Sequence, residues 1–321
     1  MPEPFAAAPP ADRLRCYGLL YVDRAHEKHV NLRPGRDPVA VYVGCASLLA
    51  ASARWAGESF TVLTNAAAEL HRIAAEHRFP PFPCKEIAFD LEIPWNIRFF
   101  QAHHKLCALE AMASGVLGGF TALLDIDAVL LGPLSPRLAS AGGLHAYGID
   151  AGLADAQVDD LRRLIGHPRG PRRWFGGEFI AGDTASLRPL AAAAKMLLPR
   201  YLEAVPALAH VGDETLVSAA LNLLAEAGAR LHDVGPERTV VRWYSSRLRV
   251  RQERLAQALD ATMLHLPVDK PFLQDHARRW RGPARFRHDL MRHVIGKSAL
   301  RALANPVLSL AEGERKYAPR A

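Results

Sequence analysis

Leu123-Leu124-Asp125-Ile126-Asp127-Ala128-Val129-Leu130-Leu131 is the stretch on which the fold turns. Leucine, isoleucine and valine surround two aspartates, with Gly118-Gly119 before the run and Gly132-Pro133 after it. A run this apolar between turn signals reads as a strand buried on both faces of a parallel sheet. Ionised carboxylates inside such a strand are costly unless paired, hydrogen-bonded or bound to a metal. The least costly arrangement ends the strand near Asp125, so that both carboxylates emerge at its carboxyl edge, where open α/β sheets bind ligands. Two hard oxygen donors one residue apart can share a divalent cation, and Mg2+ or Mn2+ suits oxygen ligands. Chance and helix capping also produce many Asp-x-Asp pairs, so this one needs support from elsewhere in the chain.

Working outward, the upstream sequence alternates strand and helix signals. Arg15 to Asp23 reads as a first strand ending in a carboxylate, followed by a polar loop over His26 to Pro38. Val39 to Trp55 is a helix stopped by Gly57, Ser59 to Leu63 a strand, and Ala66 to His77 a helix. Pro80-Pro81-Phe82-Pro83 turns the chain into a short strand, Glu86 to Phe89. Ile97 to Ser114 is a helix with Phe99, Ala102, Leu106, Leu109 and Ala113 along one face, and it delivers the chain to the Asp-x-Asp strand. Downstream, strands are expected at Gly143 to Ile149, Trp174 to Ala181, Val240 to Tyr244 and Thr262 to Leu266. Helices are expected at Asp155 to Leu164, Leu187 to Glu203 and from Gly212-Asp213-Glu214 to Glu226, with a Pro/Gly/Arg loop over His167 to Arg173. This order predicts an α/β fold: a mostly parallel central sheet with helices on both faces. No internal repeat or low-complexity linker divides it. The expected organisation is a loose lead-in over 1–14, one domain over 15–273 and a basic helical extension over 274–321.

Composition fits this picture. The 321 residues are 50% hydrophobic and 23% charged, as in ordinary globular proteins. Met1 to Pro10 carries no basic segment leading into an apolar stretch, so no secretory signal is read. The longest apolar run, Val39 to Ala53, is too short to span a bilayer. Cys16, Cys45, Cys84 and Cys107 are scattered without a Cys-x-x-Cys pair and read as reduced core residues of a cytoplasmic protein. Charge is uneven: His276 to Arg301 holds eight Lys or Arg against the single acid Asp289, and the remainder is neutral.

Three stretches together resemble the GT-A-fold glycosyltransferases, nearest to the retaining enzymes of family 8, the group of glycogenin and bacterial lipooligosaccharide galactosyltransferases. Leu123 to Val129 resembles that family's hydrophobic Asp-x-Asp strand, with Lys105-Leu106 similar to the basic residue ahead of it. Gly212-Asp213-Glu214-Thr215-Leu216 with Asn222 is similar to the family's Asp-Gln…Asn helix start. His265-Leu266-Pro267-Val268-Asp269-Lys270-Pro271-Phe272 is similar to His-x-x-Gly-x-x-Lys-Pro-Trp, with Val268 in place of the glycine and Phe272 in place of the tryptophan. Phe175-Gly176-Gly177-Glu178-Phe179 stands where family 8 has Asn-x-Gly and is closer to the blood-group-type transferases of family 6. Order and spacing match over roughly residues 15 to 273.

The resemblance implies a GT-A fold and metal-dependent transfer of a hexose, with retention, from a nucleotide-diphosphate sugar (a UDP-sugar) to a glycan or lipid-linked acceptor. It implies Asp125, Asp127 and His265 as metal ligands, the imidazole favouring Mn2+ over Mg2+. Asp125, Gly177, Lys105 and Lys270 would bind the donor, with Lys270 on its phosphates. Asp213 and Glu214 would be catalytic, beneath the anomeric carbon or bound to sugar hydroxyls. Asp23, at the end of the first strand, could meet the base or ribose. Plainer roles exist for each: a strand-edge histidine, solvated lysines, N-capping acids at a helix start and a turn-initiating Asp23. The Leu-Leu-Asp-Ile-Asp run also resembles the nucleophile strand of haloacid-dehalogenase-type phosphatases, and a non-catalytic sugar-nucleotide binder is a third reading. In the basic segment, Phe286, Leu290, Val294, Ile295 and Leu300 interleave with Arg285, Arg287, Arg292, Lys297 and Arg301. That pattern suits equally a helix lying on an anionic membrane, which would place the protein at the inner face of the membrane, and an ordinary solvated helix packed on the domain. No stacking platform or recognition motif accompanies the charge, which argues against nucleic acid.

Overall fold

The structure, a computed structural model, describes residues 14–26, 35–138, 142–149, 154–166, 172–245 and 252–316, without the side chains of 300–316. The expected lead-in falls outside these residues except for Leu14, which is buried. Most of the polar loop over 26–38 and of the loop over 167–173 also falls outside.

The elements follow the alternating order read from the sequence. β1 (Arg15–Leu20) leads through α1 (Pro38–Trp55) to β2 (Ser59–Thr64), α2 (Ala67–Glu76) and β3 (Cys84–Glu86). Next come α3 (Phe100–His103), α4 (Lys105–Ala113), β4 (Phe120–Leu124), β5 (Ala128–Leu130), α5 (Ser135–Leu138), β6 (Leu144–Gly148) and α6 (Asp155–Ile165). β7 (Phe175–Asp183) precedes α7 (Thr184–Ala204) and α8 (Asp213–Glu226). The chain then forms β8 (Leu231–Asp233), β9 (Val240–Arg242), α9 (Leu255–Ala258), β10 (Met263–His265), α10 (Lys270–Ala277) and α11 (Pro283–Lys316).

Seven strands form the central sheet in the order β3-β2-β1-β4-β7-β6-β8. Every neighbouring pair is parallel except those made by β7, which runs against both β4 and β6. Side chains alternate between two hydrophobic clusters, as period-2 strands require. Ala122 and Leu124 pack with α1, α2, α10 and the start of α11, while Leu123 packs with α4, α7 and α8. Helices therefore cover both faces, as expected.

The apolar run 123–131 departs from a single strand. β4 ends at Leu124, residues 125–127 turn, and β5 pairs antiparallel with β10 in a separate three-stranded sheet, β5-β10-β9. Hydrophobicity cannot show the break, because Leu124 on one side of it and Ala128 to Leu131 on the other are buried in the same cluster. The helix expected over 97–114 is likewise divided. Phe99 takes a left-handed conformation at φ 59°, and His104 separates α3 from α4. The strand expected at Glu86 to Phe89 lies earlier, at Cys84–Glu86, pairing with β2. β8 was not foreseen: Leu-His-Asp is too short and polar to signal a strand. α1 begins as its sequence demands, with the Asp37 carboxylate accepting from Val39 N at 2.9 Å and Pro38 in the first turn.

The expected boundary at residue 273 falls inside α10, and the basic segment beyond it is anchored. Phe286 and Leu290 of α11 are buried in the core, with Phe286 against Phe272 at 5.8 Å between ring centroids. The fully buried Asp269 carboxylate accepts through Oδ1 from His293 Nε2 (2.9 Å), Lys297 Nζ (2.7 Å) and Ser245 Oγ (2.7 Å). Burial pushes this carboxyl up, but the bonds from His293, Lys297 and Ser245 more than offset it and hold it at about 2. A depressed carboxyl contributes stability above its unfolded value, about 3.9, and loses that contribution as pH falls towards 2. Asp269→Asn should therefore lower stability by about 1–3 kcal/mol at neutral pH. The difference from wild type, read by urea unfolding, should shrink between about pH 4 and about pH 2.5. A difference that stays constant over that range would show that the charge of Asp269 does not hold α11.

Candidate active site

Ending β4 at Leu124 places Asp125 and Asp127 at the carboxyl edge of the sheet, where a cavity of ≈ 430 Å³ opens. The backbone is fixed there: Asp125 N donates to Glu178 O of β7 at 3.0 Å, and Leu266 N donates to Asp127 O at 3.0 Å. Because β10 pairs with β5 in the register His265↔Ala128, His265 comes alongside the aspartates.

Each aspartate is shared between a lysine and the histidine. Asp125 Oδ1 lies 2.6 Å from Lys105 Nζ, and its Oδ2 faces His265 Nε2 at 3.7 Å. Asp127 Oδ2 lies 2.6 Å from Lys270 Nζ, and its Oδ1 lies 3.0 Å from His265 Nε2. The oxygens not held by lysine thus face the same ring nitrogen, and one ligand atom from each of Asp125, Asp127 and His265 lies within 4.8 Å of the others.

Lys105 is carried there by the break between α3 and α4. His103 Nδ1 bonds Phe99 O at 2.9 Å and its Nε2 bonds Tyr201 Oη at 2.7 Å, while the same hydroxyl accepts from Gly212 N at 2.9 Å. This ties the start of α4 to the start of α8, so that Lys105 Nζ also meets Asp213 Oδ2 at 2.7 Å and donates to Gly177 O at 2.9 Å. Gly177 is small for a reason. A Cβ there would collide with the Asp213 carboxylate and approach Lys105 Nζ to 3.0 Å. Glu214, one residue on, accepts from Trp174 Nε1 at 3.2 Å and from Arg242.

Charge dominates the site. Five carboxylates (Asp125, Asp127, Glu178, Asp213 and Glu214) face three permanent cations (Lys105, Arg242 and Lys270). Burial raises the Asp125 carboxyl to about 6, although Lys105 and His265 pull it back. Burial works the same way on Asp127, but Lys270 and His265 overcome it and hold that carboxyl well below the usual range. Burial would lower His265, yet Asp127 and Glu178 raise it to about 9. A proton on His265 therefore sits between the two aspartates.

The same donor set fits a divalent cation. Two carboxylate oxygens and one imidazole nitrogen suit a divalent metal, a dipositive ion would balance the excess of two negative charges around a neutral imidazole, and Nδ1 on the far side of the ring faces the Glu178 carboxylate.

The structure gathers most of the residues singled out from sequence. Lys105, Asp125, Asp127, Asp213, Glu214, His265 and Lys270 line the cavity, and Gly177 contributes its carbonyl from behind Lys105. Asp23 does not line it. Its carboxylate accepts from Ala25 N (2.9 Å), His26 N (3.2 Å) and His26 Nδ1 (3.0 Å), the pattern of a turn-initiating aspartate. Asn222 is also away from the cavity, its amide clasping the backbone of Arg173. Arg242, Tyr21 and Tyr42 line the cavity without having been foreseen. Glu178 had a signal that went unused, since a glutamate between Gly-Gly and Phe-Ile in a strand must be paired.

This sheet, with one reversed strand and an Asp-x-Asp at its carboxyl edge, is the GT-A fold. A solved galactosyltransferase, LgtC in complex with donor and acceptor sugar analogs, shares it at a TM-score of 0.50 and 14% identity, covering 85% of this chain and 99% of that one. The apo structure of WbbM, a bifunctional glycosyltransferase, aligns at a TM-score of 0.49 and 12% identity over 81% of this chain, which spans 47% of that protein's length. No family model and no curated protein matches the sequence.

Proposed function

We propose that this protein is a metal-dependent glycosyltransferase that moves a hexose from a nucleotide-diphosphate sugar, a UDP-sugar, to a glycan or lipid-linked acceptor with retention of configuration. The observation that carries this reading is the convergence of Asp125 Oδ2, Asp127 Oδ1 and His265 Nε2 beside two buried lysines in one cavity. Asp125, Asp127 and His265 would hold Mn2+, or Mg2+, whose charge would neutralise the departing diphosphate. Lys270 would lend an ammonium to the same phosphates, so that the leaving group needs no protein acid. Lys105 stands between Asp125 and Asp213 and can bridge the phosphate end of the donor to its sugar.

Asp213 is held below the usual carboxylate range, because Lys105 overcomes the effect of burial. A carboxylate held ionised in this way is a weak general base and a good partner for positive charge developing at an anomeric carbon. That favours retention, with Asp213 and Glu214 against the sugar. A haloacid-dehalogenase-type phosphatase is less well supported, because the central sheet with its reversed β7 and the Asp-x-Asp at its edge is the fold shared with a solved galactosyltransferase.

Incubation with a panel of labelled nucleotide sugars and Mn2+ tests the reading, with turnover separating an enzyme from a non-catalytic binder. EDTA or Asp127→Asn should cut transfer at least about a thousandfold, the several kcal/mol that a Lewis acid supplies. Full activity in either case would refute the metal-dependent mechanism. NMR of the first-formed product should show the donor's anomeric configuration, and an inverted product would refute retention.

The proposal extends to the cytoplasmic face of an anionic membrane, reached through residues 276–301. No helix among the described residues is long and apolar enough to cross a membrane. Phe286 and Leu290 are committed to the core, so contact would rest on the exposed Met291 and Ile295 with the neighbouring Arg285 and Arg292. The protein should sediment with anionic vesicles, not neutral ones, and salt should release it. Equal binding by an Arg292→Gln, Ile295→Gln double variant would remove α11 from the interaction.

A further inference from the structure

Glu178 is the fourth residue of β7, and its side chain is fully buried. Arg242 grips both of its oxygens, at 2.7 Å from Nε to Oε1 and 2.5 Å from Nη2 to Oε2. The carboxylate also faces His265, with Oε1 3.5 Å from Nδ1. That ring nitrogen is buried and has no hydrogen-bond partner. Arg242 and His265 lie opposite one another in the β9–β10 ladder, and Arg242 Nη2 reaches on to Glu214. The residue before Gly177 is also constrained to be small, since a Cβ on Gly176 would collide with the Glu178 carboxylate and meet Arg242 at 2.7 Å.

A buried ion pair of this kind is weak evidence for stability, because apolar residues of the same volume often serve as well. The unpartnered Nδ1 gives it another purpose. A histidine whose Nδ1–H is held by a carboxylate is fixed in the tautomer that presents Nε2 to a cation. A movement of about half an ångström brings Nδ1 into ordinary hydrogen-bond range of Oε1.

The geometry points to Glu178 as the positioning residue of the cation site: it aims His265 Nε2 at the aspartate pair and, through Arg242, holds Glu214 at a set distance from that pair. This rests on the proposed reading that Asp125, Asp127 and His265 hold a divalent cation.

The test is Mn2+ affinity of the full-length chain without any donor, with free Mn2+ read by electron paramagnetic resonance. Glu178→Gln keeps the shape of the side chain and removes its charge. The double variant Glu178→Gln, Arg242→Gln removes both charges, leaves the net charge of the site unchanged and strands no buried guanidinium. It separates aiming of the ring from simple attraction of a cation, and it carries the test if the single variant does not fold. Both variants are expected to bind Mn2+ about 10–100-fold more weakly than wild type. A purely structural pair would instead lower the unfolding temperature and leave Mn2+ affinity alone, and wild-type affinity in the double variant overturns the inference. A wild-type protein that binds no Mn2+ overturns the proposed function and this inference with it.

Discussion

Carboxylates crowded into a cavity with too few cations set the terms for everything built around it. Asp127, Glu178 and Asp213 are buried, Asp125 and Glu214 partly so, and Lys105, Arg242 and Lys270 cannot balance them. An unbalanced buried charge costs several kcal/mol, so each carboxylate must find a partner from a distant part of the chain. The pairings Lys105–Asp213, Asp127–His265 and Glu178–Arg242 tie together α4, α8, β7, β9 and β10. Lys105 even stands at the start of a helix, where the macrodipole disfavours a cation, and Asp125 and Asp213 together make that position tenable. Asp213, at the start of α8, gains from its dipole in the ordinary way.

Much of this was legible in the sequence because burying charge is expensive. Two aspartates in Leu-Leu-Asp-Ile-Asp-Ala-Val demanded a sheet edge, and the structure provides one. His265 and Lys270 stood out through the resemblance of residues 265–272 to the family 8 motif; taken alone, a strand-edge histidine and a solvated lysine would have passed unnoticed. The β/α order up to β4 followed from alternating apolar runs and turn residues. What the sequence hid depended on long-range pairing. Nothing local indicates that Arg242, at the end of a short Val-Val strand, must meet a glutamate 64 positions earlier, nor that residues 123–131 serve two sheets rather than one. Asp23 lies outside the cavity lining for the opposite reason. Its short side chain has partners in its own turn, as aspartates after a strand often do.

The basic C-terminal segment shows the same division. Its charge was plain from composition, and its helical pattern followed from the spacing of apolar residues. Which apolar residues were already taken could not be seen. Phe286 and Leu290 close the hydrophobic cluster beside α1 and α10, and His293 and Lys297 return to Asp269, next to Lys270. A helix that looks like an appendage therefore braces the turn that carries a site lysine.

The reversed direction of β7 explains why so much converges on one edge. In an all-parallel sheet, only the ends of strands and the loops after them reach the carboxyl edge. β7 runs against β4 and β6, so its first residues lie where the others finish, with Phe179 opposite Leu124. Gly176, Gly177 and Glu178 consequently enter beneath Asp125, one residue beyond that pair. Glycine at the first two positions lets side chains from α4, α8 and β9 close over the strand, and glutamate at the third supplies the buried charge to which His265 and Arg242 are fitted. A parallel strand in this place would bring its last residues, Gly182 and Asp183, to the cavity instead. Asp183 is already used where it stands, capping α7 by accepting from Ser186 N at 2.7 Å at the opposite edge of the sheet. The antiparallel pairing thus assigns one end of the strand to the cavity and the other to starting a helix.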